Sequence, residues 1–129
     1  MNIQTSTLED QTILKISDTK PKFVALNMKN FIKIVTVDDI VYLKSSGGYT
    51  TFYLNNDTNV RVCKNIGHYE RLFQNSHFLR THHSFLINVK HLQNIVRDEE
   101  GNYCEMNYIK KTLPISKRRF SFVKKYLHY

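Results

Sequence analysis

The chain has 129 residues, of which 41% are apolar and 23% charged, and its formal net charge is +8. These values fit one globular domain and favour a polyanionic partner, without choosing among DNA, RNA and an anionic membrane. Two cysteines are too few for a disulfide framework, and we expect Cys63 and Cys104 to be reduced thiols in a cytoplasmic protein. No apolar run is long enough to span a membrane, and the N-terminus lacks the pattern of a signal peptide.

The N-terminal half predicts an arm followed by a series of strands. Residues 1–22 are polar and rich in threonine, so we predict a flexible arm with one short ordered piece at Ile13 to Ile16, and a domain over residues 23–129. The paired glycines of Ser45 to Gly48 predict a loop, since glycine permits positive φ. Asp38-Asp39 predicts a turn or a single helical turn, and Asn55 to Asp57 a hairpin turn. Segments rich in β-forming residues predict five strands: Phe23 to Met28, Phe31 to Val37, Ile40 to Leu43, Tyr49 to Leu54 and Asn59 to Lys64.

The C-terminal half predicts two helices among further strands. Apolar residues at helical spacing predict a helix from about Asn65 to Gln74. Ser116 is a suitable N-cap for a final helix that ends at about Leu127. The fold class is therefore mainly β, with one internal and one C-terminal helix, and no βαβ rhythm indicates a parallel sheet. The predicted strands are the two arms of Phe78 to Asn88 around a polar turn, Leu92 to Arg97, Tyr103 to Ile109 and Leu113 to Ile115.

Two polar-basic stretches in this half are anchored by apolar residues. Arg80 to Ser84 contains an arginine, two histidines and two hydroxyl side chains without an acid, and can donate many hydrogen bonds to an anion. Lys117-Arg118-Arg119 follows some thirty residues later, and the chain from Lys110 to Tyr129 contains no acid. We predict that both stretches belong to one surface. Acids concentrate instead at Asp98 to Glu100, which predicts a one-sided electrostatic footprint.

The chain carries two motifs that occur together in one family. The first comprises Phe78, Arg80, His82, Ser84, Phe85 and Asn88, and the second Pro114, Ser116, Lys117 and Arg118. With the strand Asp39 to Leu43 and the intervening helix, they stand in the order found in the LytTR family of bacterial DNA-binding domains. Residues from about Phe31 to Leu127 resemble this family.

The resemblance implies a fold and a mode of binding. The expected fold is an elongated stack of small, mainly antiparallel sheets, and loops rather than a recognition helix contact the major groove. The expected partner is double-stranded DNA carrying paired short direct repeats, bound by two copies that would form a homodimer on DNA. The expected base-reading residues are Tyr49, His83, Lys117 and Arg118. The expected phosphate contacts are Lys44, Ser46, Gly48, Thr50, Arg80, Ser84 and Arg119. His83 replaces the arginine that the family commonly has, which predicts a weaker, titratable contact.

Each of these residues also has a structural interpretation. Positive charge at a helix N-terminus opposes the helix dipole, which favours a binding role for Lys117 and Arg118. Arg80 could contact phosphate or pair with an internal acid. Adjacent histidines on a strand point to opposite faces and rarely share a metal ion. We therefore expect no metal and no cofactor, a packed structural role for His82, and a DNA contact from His83. The residues predicted to be core are Phe78, Phe85, Leu86, Ile115 and Phe120.

The function that this sequence favours is a sequence-specific DNA-binding transcription regulator. A protein-interaction module without DNA binding is an alternative, motivated by the short stretch that precedes the domain where relatives carry a signal-receiving domain. An upstream signalling protein is accordingly a candidate partner. A single-stranded RNA binder is a second alternative, with Tyr49, Phe52 and Tyr53 as candidate stacking residues. We predict no enzyme activity, because there is no nucleophile–base pair and the glycine loop lacks the lysine of a P-loop.

Overall fold

A computed structural model describes residues 20–129, so the predicted flexible arm lies outside the described residues except for its last three positions. The described residues contain ten strands, two α-helices and two short 3-10 helices. The helices are α1 (Ile66–Leu72) and α2 (Lys117–Tyr126). The strands are β1 (Phe23–Asn27), β2 (Ile32–Thr36), β3 (Ile40–Ser46), β4 (Tyr49–Leu54), β5 (Asn59–Val62), β6 (Phe78–His82), β7 (Phe85–Asn88), β8 (Leu92–Asp98), β9 (Gly101–Met106) and β10 (Leu113–Ile115).

Three antiparallel sheets make up the fold. They are the pair β1-β2, a five-stranded sheet of order β5-β4-β3-β7-β6, and a three-stranded sheet of order β10-β9-β8. The five-stranded sheet lies in the middle, because one of its faces shares a core with β1, β2 and α1 and the other shares a core with the three-stranded sheet and α2. This arrangement confirms the predicted mainly β fold of small antiparallel sheets with one internal and one C-terminal helix.

The central strand β3 supplies both cores. Ile40 and Leu43 are buried in the first core, whereas Val41 and Tyr42 are buried in the second. Two neighbouring residues can face the same side because the pairing of β3 with β4 shifts between Ile40 and Tyr42, as in a β-bulge. A strand buried on both faces reads as a continuous apolar run in the sequence, which is why its existence was predictable without alternation.

Side-chain caps determine where both helices begin. The Asn65 side chain accepts a hydrogen bond from the His68 amide at 3.0 Å and caps α1. Ser116 caps α2 as predicted, with its hydroxyl accepting from the Arg119 amide at 3.3 Å. The five residues predicted to be core are buried, except that Phe120 is only partly so.

Two predicted boundaries were wrong. The loop predicted over Ser45 to Gly48 is shorter, because Ser45 and Ser46 continue β3 and pair with the first residues of β4. The strand predicted over Tyr103 to Ile109 ends early, because the Asn107 amide donates to the carbonyl of His91 and Tyr108 adopts a positive φ of 74°.

Candidate nucleic-acid interface

Two tight turns lie side by side at one end of the five-stranded sheet. Gly47 and Gly48 connect β3 to β4, and His83 and Ser84 connect β6 to β7. Because β3 and β7 are antiparallel neighbours, the end of one strand lies beside the start of the other, and the Ser45 amide donates to the Ser84 carbonyl at 2.9 Å. Segments nearly forty residues apart in the chain thus form one surface.

The start of α2 lies next to the second turn. The Ser116 amide donates to the carbonyl of Thr81 at 2.9 Å, which fixes the first turn of α2 against the end of β6. Lys117 and Arg118 are exposed there, whereas Arg119 is half-buried. The three segments predicted to contact DNA therefore form a row, in the order glycine turn, histidine turn and α2 start.

The acidic turn borders this row, which corrects the prediction that the acids lie apart from the basic face. Ile115, just before α2, pairs with Asn102 in β9. Asn102 is two residues from Glu100, which with Glu99 forms the turn between β8 and β9. The Asp98 carboxylate accepts from the amides of Glu100 and Gly101 at 2.8 and 3.0 Å and shapes that turn. The pairing of β9 with β10 brings the two segments together. The sequence did not reveal this proximity, because the segments are far apart along the chain.

His82 and His83 have the separate environments that were expected. The His82 Nδ1 atom accepts a hydrogen bond from the Ser84 amide at 3.0 Å. The His82 and Phe85 rings form a T-shaped contact with 5.7 Å between their centroids. Burial lowers the pKa of His82 below its usual 6.5, and the positive charges of His83, Arg119 and Arg80 lower it further. His82 therefore holds the turn in its neutral form, while His83 is exposed to solvent.

The guanidinium of Arg80 is occupied within the protein. It forms an ion pair with Glu70 of α1 at 2.6 Å, donates from Nε to the His82 carbonyl at 3.0 Å, and donates to the His83 carbonyl as well. Its side chain is only 11% exposed. Of the two roles predicted for Arg80, the structure favours pairing with an internal acid. Few guanidinium N–H groups remain to donate to a phosphate.

Thr50 does not face the surface as predicted. Its side chain is fully buried, and its hydroxyl donates to the carbonyl of Lys64 at 2.6 Å. Side chains alternate along β4, so Thr50 points to the first core with Phe52 and Leu54, while Tyr49 points to the other face. A phosphate contact from the Thr50 side chain is therefore excluded by burial.

The remaining predicted contacts of the first turn stay accessible. Ser46 and Gly48 are exposed, and a Cβ atom at Gly48 would meet nothing within 4 Å. Tyr49 is 41% exposed, and the guanidinium of Arg61 lies 4.1 Å above the centre of its ring. Lys44 is half-buried, with its Nζ atom 5.7 Å from the centre of the Phe85 ring.

The aromatic residues offered as an RNA-stacking surface do not form one. Phe52 is fully buried in the first core. Tyr53 stacks on Tyr42 at 4.4 Å, with the Lys111 Nζ atom 5.9 Å from each ring, so one face of Tyr53 is already used. A single exposed tyrosine at position 49 remains.

The structure brings most of the predicted residues to one end of the domain. That group consists of Lys44, Ser46, Gly48, Tyr49, His83, Ser84, Lys117, Arg118 and Arg119. Arg61 and Lys64 at the end of β5 also lie there and were missed. The predicted hairpin turn at Asn55 to Asp57 was the signal that could have identified them, because an antiparallel hairpin places the end of β5 beside the start of β4.

The comparisons with known proteins show the family of this chain. The LytTr DNA-binding domain family matches residues 30–128 of the chain. The chain belongs to this family. As a member of this family it is a LytTR-type DNA-binding domain.

One relative and one solved structure are similar to this chain. The Sensory transduction protein LytR of Staphylococcus saprophyticus is 29% identical over 91 residues, which is 70% of this chain and 35% of that protein. The chain thus spans about a third of the length of that relative. The solved LytTr DNA-binding domain of a methyl-accepting/DNA response regulator from Bacillus cereus has a TM-score of 0.73 at 22% identity, over 84% of this chain and 99% of that one. That likeness confirms the fold.

Residues 20–129 contain neither a candidate membrane-spanning helix nor a candidate metal cluster. No helix in that part of the chain is long and apolar enough to cross a membrane. The same residues contain no group of three or more histidine, cysteine, aspartate or glutamate side chains placed to hold a metal ion.

Proposed function

We propose that this chain is a sequence-specific, double-stranded DNA-binding transcription regulator whose two turns and α2 start contact successive major grooves. The observation that carries the proposal is the row itself, in which three segments from distant parts of the sequence present donors at one end of the domain. Lysine and arginine side chains donate to the N7 and O6 atoms of guanine, and exposed His83 and Tyr49 can donate or accept at other base edges. Backbone amides and hydroxyls at the turns suit phosphate.

The proposed target is a pair of short direct repeats, each bound by one copy of the domain, so that two copies form a homodimer on DNA. An upstream signalling protein is proposed to control this binding. Membership of a family that includes a sensory transduction protein supports such control.

A selection from random duplex DNA tests the proposal first. The winning duplex and a scrambled version of it are then titrated with the protein over a series of salt concentrations. We expect a recovered pair of direct repeats and an affinity gap of at least ~10³ between the two duplexes. Equal binding to both duplexes at every salt concentration would refute sequence specificity and leave an electrostatic surface only.

Two substitutions separate base reading from phosphate binding. Lys117→Ala removes a proposed base contact and should cost ~1–3 kcal/mol on the selected duplex, with a much smaller effect on scrambled DNA. Lys44→Ala removes a proposed phosphate contact and should weaken binding to both duplexes alike while lowering the salt slope by about one. Lys33→Ala, an exposed lysine of β2 outside the row, is the control for the loss of one charge. Equal losses on both duplexes for Lys117→Ala would contradict its base-reading role.

A further inference from the structure

We propose that Arg61 and Lys64, at the end of β5, form an additional phosphate-binding segment of this interface, on the side opposite α2. The inference rests on the proposed DNA-binding function and extends it to residues outside the two motifs. Its ligand is the sugar–phosphate backbone that runs beside the groove occupied by the two turns.

The pairing of β5 with β4 places this segment. Thr50 pairs with Val62 and Thr51 with Arg61, so the end of β5 lies beside the start of β4 and therefore beside the glycine turn. The buried Thr50 hydroxyl donates to the Lys64 carbonyl at 2.6 Å. This bond holds the chain at Lys64 against the sheet after the regular pairing has ended, so the lysine is presented from a fixed backbone position.

Arg61 is oriented by an aromatic contact. Its guanidinium lies 4.1 Å above the ring of Tyr49, which covers one planar face of the group. The N–H donors of a guanidinium lie in its plane, so stacking on a ring does not use them. The two ion pairs within residues 20–129 involve Arg80 and Lys90, so neither Arg61 nor Lys64 is neutralised by a carboxylate there. Burial lowers the pKa of His68 below its usual 6.5, and the positive charges of Lys64 and Arg71 lower that pKa further, as expected in a region of positive potential.

The charge pattern along the row matches a groove between two phosphate backbones. Gly47, Gly48 and Ser84 in the two turns carry no charge, and cations proposed to bind phosphate lie on both sides of the turns: Arg119 at the α2 start, and Arg61 and Lys64 at β5. Neighbouring strands are ~4.8 Å apart, so the two turns together span roughly the ~12 Å width of a major groove. Without Arg61 and Lys64, only half-buried Lys44 would supply charge on the β5 side.

The test measures binding to the selected and scrambled duplexes between 50 and 200 mM salt for the wild type, Arg61→Ala and Lys64→Ala. Each substitution to alanine should weaken binding to both duplexes. It should also reduce by about one the magnitude of the salt slope, which is the slope of the logarithm of the association constant against the logarithm of the salt concentration. The ratio of wild-type to variant affinity should therefore shrink ~3–4-fold across this range. Lys29→Ala in the β1-β2 hairpin removes the same charge outside the row and should leave the slope unchanged.

The outcomes distinguish this inference from the proposed function. If the wild type fails to prefer the selected duplex, the function is refuted. If the wild type does prefer it but both variants keep the wild-type salt slope, the β5 segment does not contact phosphate and only the further inference fails. A loss confined to the selected duplex would also overturn it, because it would indicate base reading.

Arg61→Lys separates charge from stacking. The lysine keeps the positive charge but lacks the planar group that lies on Tyr49. A salt slope equal to wild type in Arg61→Lys, with a reduced slope in Arg61→Ala, supports a phosphate contact. Urea unfolding of each variant should give wild-type stability, since Arg61 is exposed. If Arg61→Ala binds weakly and is also less stable than the wild type, Arg61→Gln replaces it. A wild-type salt slope in Arg61→Gln would overturn the role of Arg61.

Discussion

The two turns of the interface reach the same end of one sheet by different physical means. Gly47 has a positive φ of 60°, and a Cβ atom at either glycine would meet nothing within 4 Å. The His83-Ser84 turn is instead fixed by side chains, since Arg80 donates to the carbonyls of His82 and His83 and the Ser84 amide donates to the His82 ring. The glycine turn lets a partner approach the backbone closely, whereas the histidine turn presents one side chain from a rigid position.

The largest expected effect comes from removing the side chain that holds the histidine turn. Arg80→Ala leaves two carbonyls and the Glu70 carboxylate without their donor, and we expect a loss of about 2–3 kcal/mol of unfolding free energy. Urea unfolding measures it. Arg71→Ala, an exposed arginine of α1, should cost less than ~0.5 kcal/mol. Similar small costs for both variants would mean that Arg80 does not hold the turn.

Alanine substitutions at the two positions of the glycine turn should change the unfolding free energy by different amounts. Gly47→Ala forces a side chain into the left-handed region and should cost about 1–2 kcal/mol. Gly48→Ala is the matched control, because its φ is outside that region and the added methyl group meets no neighbour. We expect Gly48→Ala to keep wild-type stability and yet to weaken DNA binding, since the methyl group would separate the backbone from phosphate. Equal destabilisation by both substitutions would show that space rather than backbone conformation is limiting.

The histidine turn should also depend on pH. Because the folded-state pKa of His82 is lowered, the unfolded chain binds the proton more tightly, so its stabilising contribution is complete above the usual value of 6.5 and is lost as pH falls toward the folded-state value. His82→Asn keeps an acceptor for the Ser84 amide without a titratable ring. Stability measured by urea unfolding from about pH 8 to pH 5 should therefore fall less steeply in His82→Asn. Parallel curves for the two proteins would rule out His82 as the source.

The smallest effect on DNA binding is expected from the acidic turn between β8 and β9, which borders the α2 start. Glu99 and Glu100 are exposed beside the α2 start, where their charges would repel the phosphates of a bound duplex. The double substitution Glu99→Gln and Glu100→Gln should raise affinity for both duplexes by a fewfold at low salt, and the gain should vanish at about 1 M because the Debye length falls to ~3 Å. Asp98 is left intact because it shapes the turn. A gain that persists at high salt would indicate a change of structure instead.

Local sequence patterns predicted the fold class and the location of the turns. The glycine pair, the polar block before Phe85 and the Ser116 cap are local signals, and each has its expected position. The roles of Thr50 and Arg80 were not predictable in this way. Thr50 depends on which face of β4 is buried, and Arg80 depends on Glu70 of α1, which the packing of the helix brings within reach.

The distance between the two turns of the row is determined by backbone hydrogen bonds and not by side chains. The glycine turn and the histidine turn are separated by the hydrogen-bond ladder between β3 and β7, in which Leu43 pairs with Leu86 and Lys44 with Phe85. Interstrand distance is a backbone constant, so substitution at positions 49 or 83, the proposed base contacts, changes the exposed chemical group without moving its point of attachment. Under the proposed function, single surface substitutions are expected to change the operator preference of this domain while both cores stay unchanged.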